Sequence, residues 1–431
     1  MCGFTAIVGN IDHLMDSLKS MTFRGLWGHN SYYSEKKIHI AHTRLPIVDF
    51  TPEGNQPARI NDQIGFLVGE IFNFKEFSDS TSDTKAALEV FIKEGLNGFH
   101  KFDGFWSFVT IYQDKLLAAT DYLSQKPIYY RTDMKAIASE PKALLAYGKA
   151  DFDEIFFSNV RKWGYDPTGR TAWEQIKQLP AGHYWLDGEI KPYWDWNRID
   201  AGDIRGTLTE ATKNRLLGER EIACLLSGGL DSSIVYMLSK ELGANLKAFH
   251  VANEEAEFAK LIAPNIQELS LSSTSYRTAV KNHQSPVDLG SVLPQAILAE
   301  AIAEHGCYVC LTGDGADELF GGYKRIMSYD SQYSDVFIEL PYYHLPKLDR
   351  LMMKDTIELR TPFLAPKVVK TALGLPYKER INKLALKKAF DYLLPSSILL
   401  RGKKALKTES IRTNEIQQRE FTIKLFKEIY S

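Results

Sequence analysis

The feature that most constrains the fold of this chain is a strand-like run that ends in two glycines, "EIACLLSGGLDSSIVYMLSKELGA" at 221–244. An apolar run stops at the glycines, and a helix-forming run follows at once. A second stretch, "CYVCLTGDGADELFGGY" at 307–323, repeats the strand and the glycine turn. Strands that alternate with helices are typical of a parallel sheet covered on both faces. We therefore predict an α/β parallel-sheet domain over residues 201–431.

Residues 1–195 have a different pattern. Short apolar stretches such as "GFTAIVG" and "IGFLVGEIF" alternate with turns, which predicts an α+β domain of packed antiparallel sheets. One helix is expected in "DTKAALEVFIKEGL", with Ala87, Leu88, Phe91 and Ile92 on its buried face. The boundary between the two domains is expected in "DWNRIDAGDIRG", and the charged tail after residue 401 is expected to be partly helical.

Composition excludes several classes of protein. A formal net charge of -2 argues against a general nucleic-acid binder, which needs a basic surplus. No apolar run approaches the roughly 18 residues that span a bilayer, and no signal sequence is evident. Four cysteines are too few for a disulfide framework, and Cys224, Cys307 and Cys310 are expected to be structural strand residues. We expect a cytoplasmic enzyme that acts on small molecules, without nucleic-acid or membrane partners, and we consider a homodimer.

The two glycine turns predict a nucleotide site. In "SGGLDSS" the glycines allow close backbone approach, and amides at a helix start suit phosphate oxygens. No GKS or GKT follows, so the turn is expected to hold pyrophosphate, with Mg²⁺ on Asp231. The second turn carries Asp314, Asp317 and Glu318 at the carboxyl end of another predicted strand. Ligands of open α/β sheets collect at that edge, so the sequence predicts a magnesium–nucleotide site there.

Cys2 stands directly behind the initiator methionine. Removal of Met1 would leave a cysteine whose own α-amine titrates near about pH 8, close enough to neutrality to accept the thiol proton. The thiolate is the attacking form of cysteine. Taken alone, a cysteine near a terminus is more often a small buried apolar residue, so the choice depends on the rest of the chain.

Together these motifs resemble the glutamine-dependent asparagine synthetase family over nearly the whole chain. In the first half the similar stretches are "MCGF", "FRG", "AHTRLPIVD", "NQP", "GEIFN", "SDT", "DGFWSFVTIY", "KPIYY" and "ASEPKALL". In the second half they are "LLSGGLDSS", "LTGDGADELFGGY", "DRLMMKDTIELRTPFL" and "LRGKKAL". The resemblance implies a class II glutamine amidotransferase domain of the N-terminal nucleophile type, followed by an ATP-pyrophosphatase domain.

The resemblance also implies roles for single residues. Cys2 is the implied nucleophile, Arg44 the partner of the glutamine α-carboxylate and Asp83 the partner of its α-amine. The implied glutamine site consists of Arg44, Leu45, Val68, Gly69, Glu70 and Asp83. The implied ATP and pyrophosphate contacts come from Leu225, Ser227, Gly228, Gly229, Asp231, Ser232, Ser233, Val251, Thr312 and Gly313. Asp231 and Asp317 are the implied Mg²⁺ ligands, Asp314 takes part in acyl-adenylate formation, and Glu358 and Lys403 are catalytic.

The chain departs from the family pattern at several positions. Val68 stands where the family has an asparagine that donates to the oxyanion, and loss of such a donor costs roughly 10²–10³ in rate in other enzymes. "RGLW" replaces the usual RGPD, Thr120 replaces an arginine, and Ala365 replaces an aspartate. The segment between Tyr323 and Asp349 is also shorter than expected, and it belongs to the acceptor side of the family's site.

These departures leave alternatives to the leading prediction, an ATP-dependent ligase that makes asparagine through a β-aspartyl-adenylate. One alternative amidates another carboxylate acceptor. Another uses free ammonia because the glutaminase is impaired by Val68. A β-lactam-forming relative, a non-catalytic scaffold and a tRNA-modifying pyrophosphatase are less compatible with Cys2, the nucleotide motifs and the near-neutral charge.

Overall fold

The structure is a computed structural model. It describes residues 2–25, 30–196, 202–218, 220–252, 255–269, 275–286, 289–323, 335–402 and 415–431. Its strands are β1 (Gly3–Val8), β2 (Asn30–Glu35), β3 (Ile38–Thr43), β4 (Ala58–Ile60), β5 (Gln63–Ile71), β6 (Gly104–Tyr112), β7 (Lys115–Thr120), β8 (Tyr129–Arg131), β9 (Ala136–Ala138), β10 (Ile176–Gln178), β11 (His183–Leu186), β12 (Glu189–Pro192), β13 (Ile222–Leu225), β14 (Leu246–Val251), β15 (Gln267–Leu269), β16 (Val309–Leu311) and β17 (Glu358–Arg360).

Helices cover the sheets. They are α1 (Leu14–Lys19), α2 (Asp83–Glu94), α3 (Glu154–Trp163), α4 (Ile204–Arg215), α5 (Leu230–Glu241), α6 (Ala256–Ile262), α7 (Tyr276–His283), α8 (Leu289–Glu304), α9 (Ala316–Leu319), α10 (Leu345–Met353), α11 (Pro366–Gly374), α12 (Tyr377–Arg380), α13 (Leu384–Ala389), α14 (Ser396–Leu399) and α15 (Glu415–Tyr430). A π-helical segment, Asp335–His344, precedes α10. Within the described ranges, none of these helices combines the length and apolar character that a bilayer crossing requires.

The first half of the chain forms two six-stranded antiparallel sheets, which confirms the predicted fold class. Their strand orders are β10–β8–β9–β1–β3–β2 and β12–β11–β7–β6–β5–β4. Alternation along β5 explains the layering: Phe66 and Val68 face the core between the two sheets, whereas Leu67 faces α2 on the outer side. Helices therefore lie outside a pair of packed sheets, in four layers.

Helix α2 corrects one sequence expectation. Ala87, Leu88 and Phe91 are buried against the second sheet, as predicted. Ile92 is not part of that face, because 47% of it is exposed. Ile92 lies just outside the part of the helix surface that the sheet covers. The buried face of the helix extends on its other side to Val90. Helical spacing identified the face correctly but not its edge.

The second half contains a five-stranded, all-parallel sheet, as predicted. Its order is β15–β14–β13–β16–β17. The chain moves outward from β13 in one direction and then returns to start again at β16 on the other side. Strands β13 and β16 are therefore the neighbours at which the strand order reverses, and ligands of such sheets bind in the crevice beyond that point.

The cysteines of the second half lie in or beside this sheet. Cys224 is buried in β13 and Cys310 in β16, but Cys307 lies before β16 begins rather than inside a strand. Burial raises the pKa of Cys224 to about 12 and that of Cys310 well above its ordinary value. Both thiols are therefore protonated near neutral pH.

Helix α15 crosses back from the second half of the chain to the first. Phe426 packs on Trp173 with ring centroids 5.5 Å apart and on Phe157 at 6.2 Å. An ion pair of 2.7 Å joins Arg161 to Glu420 on the rim of this contact. The expected helical tail is therefore present, and its apolar side completes the core outside the first antiparallel sheet.

A buried group of charges also joins the two halves. Asp349 at α10 accepts from Lys126 at 2.7 Å and from Arg24, and Arg24 Nε also donates to Glu140 at 2.6 Å. All four side chains are buried. Burial alone would raise the pKa of Asp349, but Arg24 and Lys126 outweigh it and hold that pKa well below its ordinary value.

Candidate active sites

Cys2 lies in the layer between the two antiparallel sheets, just before β1. Only 8% of it is exposed, and it packs in the same core as Phe4 and Val68. Burial raises the pKa of its thiol to about 11, although the Leu45 backbone N–H and the Arg44 charge act in the opposite direction. The thiol is therefore neutral near pH 7, and a base has to take its proton before the sulfur can attack.

Arg44 follows β3 and is held by the loop after it. Its Nη1 donates to Asn55 Oδ1 at 2.8 Å and to the Thr51 carbonyl at 3.4 Å, and its Nη2 donates to the Asp49 carbonyl. Gly54 gives this guanidinium room, because a Cβ at that position would collide with it. The loop therefore fixes a buried cation beside Cys2, which suits a carboxylate ligand.

Val68, Gly69 and Glu70 lie in β5, across the layer from β1. Gly69 has φ +116°, and a Cβ there would overlap the Phe105 carbonyl, so the position requires glycine. Val68 is 1% exposed and carries no donor. Burial raises the pKa of Glu70 well above its ordinary value, and the negative charges of Glu358 and Asp83 raise it further.

Asp83 opens α2 and lies near Glu70. Its Oδ2 accepts from the Ile71 N–H at 3.1 Å, and its Oδ1 accepts from the Thr84 hydroxyl. Burial is the main cause that raises the pKa of Asp83 to about 6, against these hydrogen bonds. Cys2, Arg44, Leu45, Glu70 and Asp83 thus come from four separate stretches of sequence, and the electrostatic influence between members of this set places them in one region.

The second candidate site lies beyond β13 and β16. Ser227 and Ser232 bond to each other across the glycine turn, with Oγ–Oγ at 3.0 Å and the Ser227 N–H on Ser232 Oγ at 3.1 Å. Gly228 has φ +74°, and Gly313 lies so close to the start of α5 that a Cβ would come within 2.7 Å of the Ser232 nitrogen. The two glycine turns are therefore in contact, as their positions in the sequence predict.

Lys383 is a residue of this site that the sequence prediction missed. Its Nζ lies 2.5 Å from Asp231 Oδ2 and 2.6 Å from Asp317 Oδ1, between the two expected Mg²⁺ ligands. Burial lowers the pKa of Lys383, but the two carboxylates outweigh it and raise that pKa above its ordinary value. Lys383 stands among other lysines in "INKLALKK", so the sequence offered no signal that distinguishes it.

The remaining residues expected at the nucleotide site lie at the same edge of the sheet. Ser233 is buried in the first turn of α5, and Gly229 is the N-cap residue of that helix. Leu225 ends β13, and Val251 ends the neighbouring strand β14. Thr312 follows β16 directly and donates to Asp314 Oδ2 at 2.5 Å. The polar side chains thus follow the strands at which the sheet order reverses.

Glu358 begins β17, next to β16, and is fully buried. Its Oε1 accepts from Arg360 Nε at 2.8 Å. Its charge contributes to the raised pKa values of both Glu70 and Asp83, so it lies near the glutamine-pocket candidates as well as on the parallel sheet. Lys403, the other expected catalytic residue, lies outside the described residues.

A divalent cation is compatible with the donor set at Asp231 and Asp317. Both carboxylates converge on one point, now taken by the Lys383 ammonium, and carboxylate oxygens are the ligands that Mg²⁺ prefers. Over the described ranges no group of three or more His, Cys, Asp or Glu side chains could form a complete metal cage. Two carboxylates with substrate phosphates as the other ligands are the usual arrangement for Mg²⁺.

Comparison with known proteins identifies the family of the chain. Residues 1–194 match the family model for a glutamine amidotransferase domain, and residues 203–341 and 326–428 match the model for asparagine synthase. The chain therefore belongs to the asparagine synthase family, as an amidotransferase joined to an ATP-dependent carbon–nitrogen ligase that uses glutamine as amido donor.

Curated relatives are similar over most of the chain. A probable glutamine-hydrolysing asparagine synthetase of Acanthamoeba polyphaga mimivirus is 26% identical over 452 residues, covering 91% of this chain and 81% of its own. Asparagine synthetase B of Escherichia coli is 26% identical over 450 residues, covering 89% and 76%. Amidase chyE of Penicillium rubens is 27% identical over 407 residues, covering 79% of this chain and 59% of its own.

Proposed function

We propose that the enzyme makes asparagine from aspartate, ATP and ammonia released from glutamine. The observation that carries the proposal is the presence of both sites in one chain: a buried nucleophile beside a fixed arginine, and two joined glycine turns at the reversal point of a parallel sheet. Residues 1–195 would form the amidotransferase domain and residues 201–431 the synthetase domain.

In the first domain, Cys2 would attack the amide carbon of the glutamine side chain. Its buried thiol has a pKa of about 11, so the reaction needs the α-amine that removal of Met1 leaves on Cys2. That amine takes the thiol proton and passes a proton to the leaving nitrogen. Arg44 would bind the α-carboxylate and Asp83 the α-amine, and water would then hydrolyse the thioester to glutamate.

In the second domain, the aspartate β-carboxylate would attack the α-phosphorus of ATP and release pyrophosphate. The amides of Ser227–Gly229 and the serine hydroxyls would hold phosphate oxygens. Asp231 and Asp317 would hold Mg²⁺, with Lys383 turned to the phosphates, and the ion would neutralise charge on the leaving pyrophosphate. Ammonia would then displace AMP, and Glu358 would take a proton from the attacking nitrogen.

A different carboxylate acceptor is the second candidate. Two amidases, chyE of Penicillium rubens and chry2 of Gibberella zeae, are 27% and 26% identical to this chain. Their similarity is as high as that of the asparagine synthetases, so similarity alone does not distinguish the acceptors. In the family pattern the segment after Tyr323 belongs to the acceptor side, and it is short in this chain, so a change of specificity would be expected there.

Pyrophosphate release from Mg-ATP and aspartate, with glutamine or with ammonium chloride, tests the proposal. The native enzyme should use both donors, whereas Cys2→Ala should lose roughly 10³-fold or more with glutamine and keep the ammonium reaction. Retention of the glutamine reaction by Cys2→Ala would refute the nucleophile. The second candidate would be established if aspartate gave no pyrophosphate with either donor, while another carboxylate in place of aspartate did give it.

A further inference from the structure

In the glutaminase step, negative charge develops on the amide oxygen of the glutamine side chain, and this charge has to be stabilised. When the sulfur of Cys2 bonds to the amide carbon, the electron pair of the C=O bond moves onto oxygen. Hydrogen-bond donors aimed at that oxygen account for a large part of catalysis in such reactions. Val68, beside Gly69 in β5, faces the Cys2 layer but has no donor to offer.

Ser107 lies directly across from Val68. Strands β5 and β6 are antiparallel, and their register pairs Val68 with Ser107 and Gly69 with Trp106. Side chains at directly opposed positions share a face of the sheet, with Cβ atoms about 4.5–5.5 Å apart. The residues two positions away in β6, Phe105 and Val109, pack in the same core as Cys2 and Val68. The Ser107 hydroxyl therefore faces the Cys2 layer.

This hydroxyl is buried and uncommitted. Ser107 is 1% exposed, and its Oγ has no hydrogen-bond partner among the described residues. The next residue across the sheet, Thr120, is different: its hydroxyl lies 3.2 Å from the Lys126 carbonyl and 3.4 Å from Ser124 Oγ. A buried hydroxyl without a partner costs free energy, so its place opposite Val68 on the inner face of the sheet points to a ligand group that completes it.

We propose that Ser107 is a catalytic residue whose Oγ–H donates a hydrogen bond to the oxyanion of the glutamine tetrahedral intermediate, in place of the donor that Val68 lacks. No proton is transferred in this interaction. As the intermediate collapses, the C=O bond forms again, the C–N bond breaks and ammonia leaves with the proton that the Cys2 α-amine supplied. The inference rests on the proposed glutaminase function of Cys2.

Kinetics of glutamine hydrolysis in Ser107→Ala test the inference. We expect kcat to fall on the order of 10²-fold with KM nearly unchanged, since the donor acts in the transition state. Ammonium-dependent pyrophosphate release should stay at the native rate, which shows that the variant is folded. Thr110→Val is the matched control: it also removes a buried hydroxyl from β6, but an odd spacing from Ser107 places it on the other face, where it bonds to the Ile64 carbonyl.

Val68→Asn provides a second, independent measurement. If Ser107 already supplies the donor, this change should raise kcat less than tenfold in the native chain, but should restore most of the activity of Ser107→Ala. A rise of 10²-fold in the native chain, or an unchanged kcat in Ser107→Ala, would overturn the inference. Failure of the proposed function looks different, because Cys2→Ala would then keep the glutaminase activity.

Discussion

The two candidate sites keep their acidic side chains in opposite electrostatic conditions. In the candidate glutamine site, burial raises the pKa values of Glu70 and Asp83, and the nearby charges and hydrogen bonds do not fully offset it. At the nucleotide edge, Asp231 and Asp317 share the Lys383 ammonium. The first site lies inside a layer between sheets, and the second lies on turns beyond strand ends.

This difference suits the chemistry proposed for each site. Ammonia is a nucleophile only while it is neutral, so a poorly solvated region that disfavours charge protects it from protonation and loss to water. Phosphate transfer moves full charges, so it needs cations and amides already in place. Variants of Lys383 and Asp83 test this contrast directly, and the remaining variants test what stabilises the fold around the two sites.

Removal of the cation at the nucleotide edge should affect only that site. We expect Lys383→Met to lower ammonium-dependent pyrophosphate release on the order of 10²-fold, because a charge that stabilises the transition state is lost. Glutamine hydrolysis, measured as glutamate formation, should stay near the native rate. Lys388→Met, at an exposed lysine of α13, should change neither rate. An equal fall in both reactions would show that the sites are not electrostatically separate.

The buried charges that join the halves should matter for stability. Asp349→Asn leaves Arg24 and Lys126 buried with less compensation, and loss of one partner from such a group costs about 3–5 kcal/mol. Urea unfolding at pH 7 measures the change. Asp114→Asn removes the exposed ion pair with Lys36 and should cost far less, because water screens that pair. Equal losses in the two variants would contradict the importance of burial.

The raised pKa of Asp83 implies that the stability of the fold depends on pH. An acid that titrates near 6 when folded and near 3.8 when unfolded binds protons more tightly in the folded state. Its ionisation therefore destabilises the fold as pH rises from about 4 to about 6. Asp83→Asn should therefore compare more favourably with the native chain in stability at pH 7.5 than at pH 4. Thermal unfolding of both proteins at the two pH values measures this difference.

Asp133 is the control of opposite sign. Arg131 lowers the pKa of Asp133, so its ionisation stabilises the fold above about pH 4. Asp133→Asn should therefore lose stability relative to the native chain as pH rises through its titration. The same sign for both variants would contradict the assignment of Asp83 as a destabilised carboxylate.

The smallest effect concerns the edge of α2. Ile92→Ser should change the free energy of unfolding by no more than about 0.5 kcal/mol, because the side chain is largely exposed. Leu88→Ala on the same helix should cost about 2–5 kcal/mol, since it leaves a cavity against the second sheet. Chemical denaturation of the two variants measures the difference. A large loss of stability in Ile92→Ser would show that Ile92 belongs to the buried face.

Local sequence was sufficient to predict much of the fold and many of the candidate site residues. A strand that stops at glycines before a helix can be recognised from a dozen residues, because the glycines have to adopt special backbone angles and the apolar periods change from two to 3.6. This identified the parallel sheet and the two turns near Ser227 and Gly313. The change of pattern near residue 195 and the position of Cys2 are likewise properties of short segments.

Only the tertiary structure showed which distant side chains meet. Lys383 reaches Asp231 across more than a hundred residues, Asp349 reaches Arg24 across the two halves, and Ser107 faces Val68 only because β5 and β6 pair in one register. Such contacts depend on strand order and register, which a local pattern does not contain. The sequence by itself determined the elements and their chemistry, whereas packing decided their partners, since burial and pairing energies act between segments far apart in the chain.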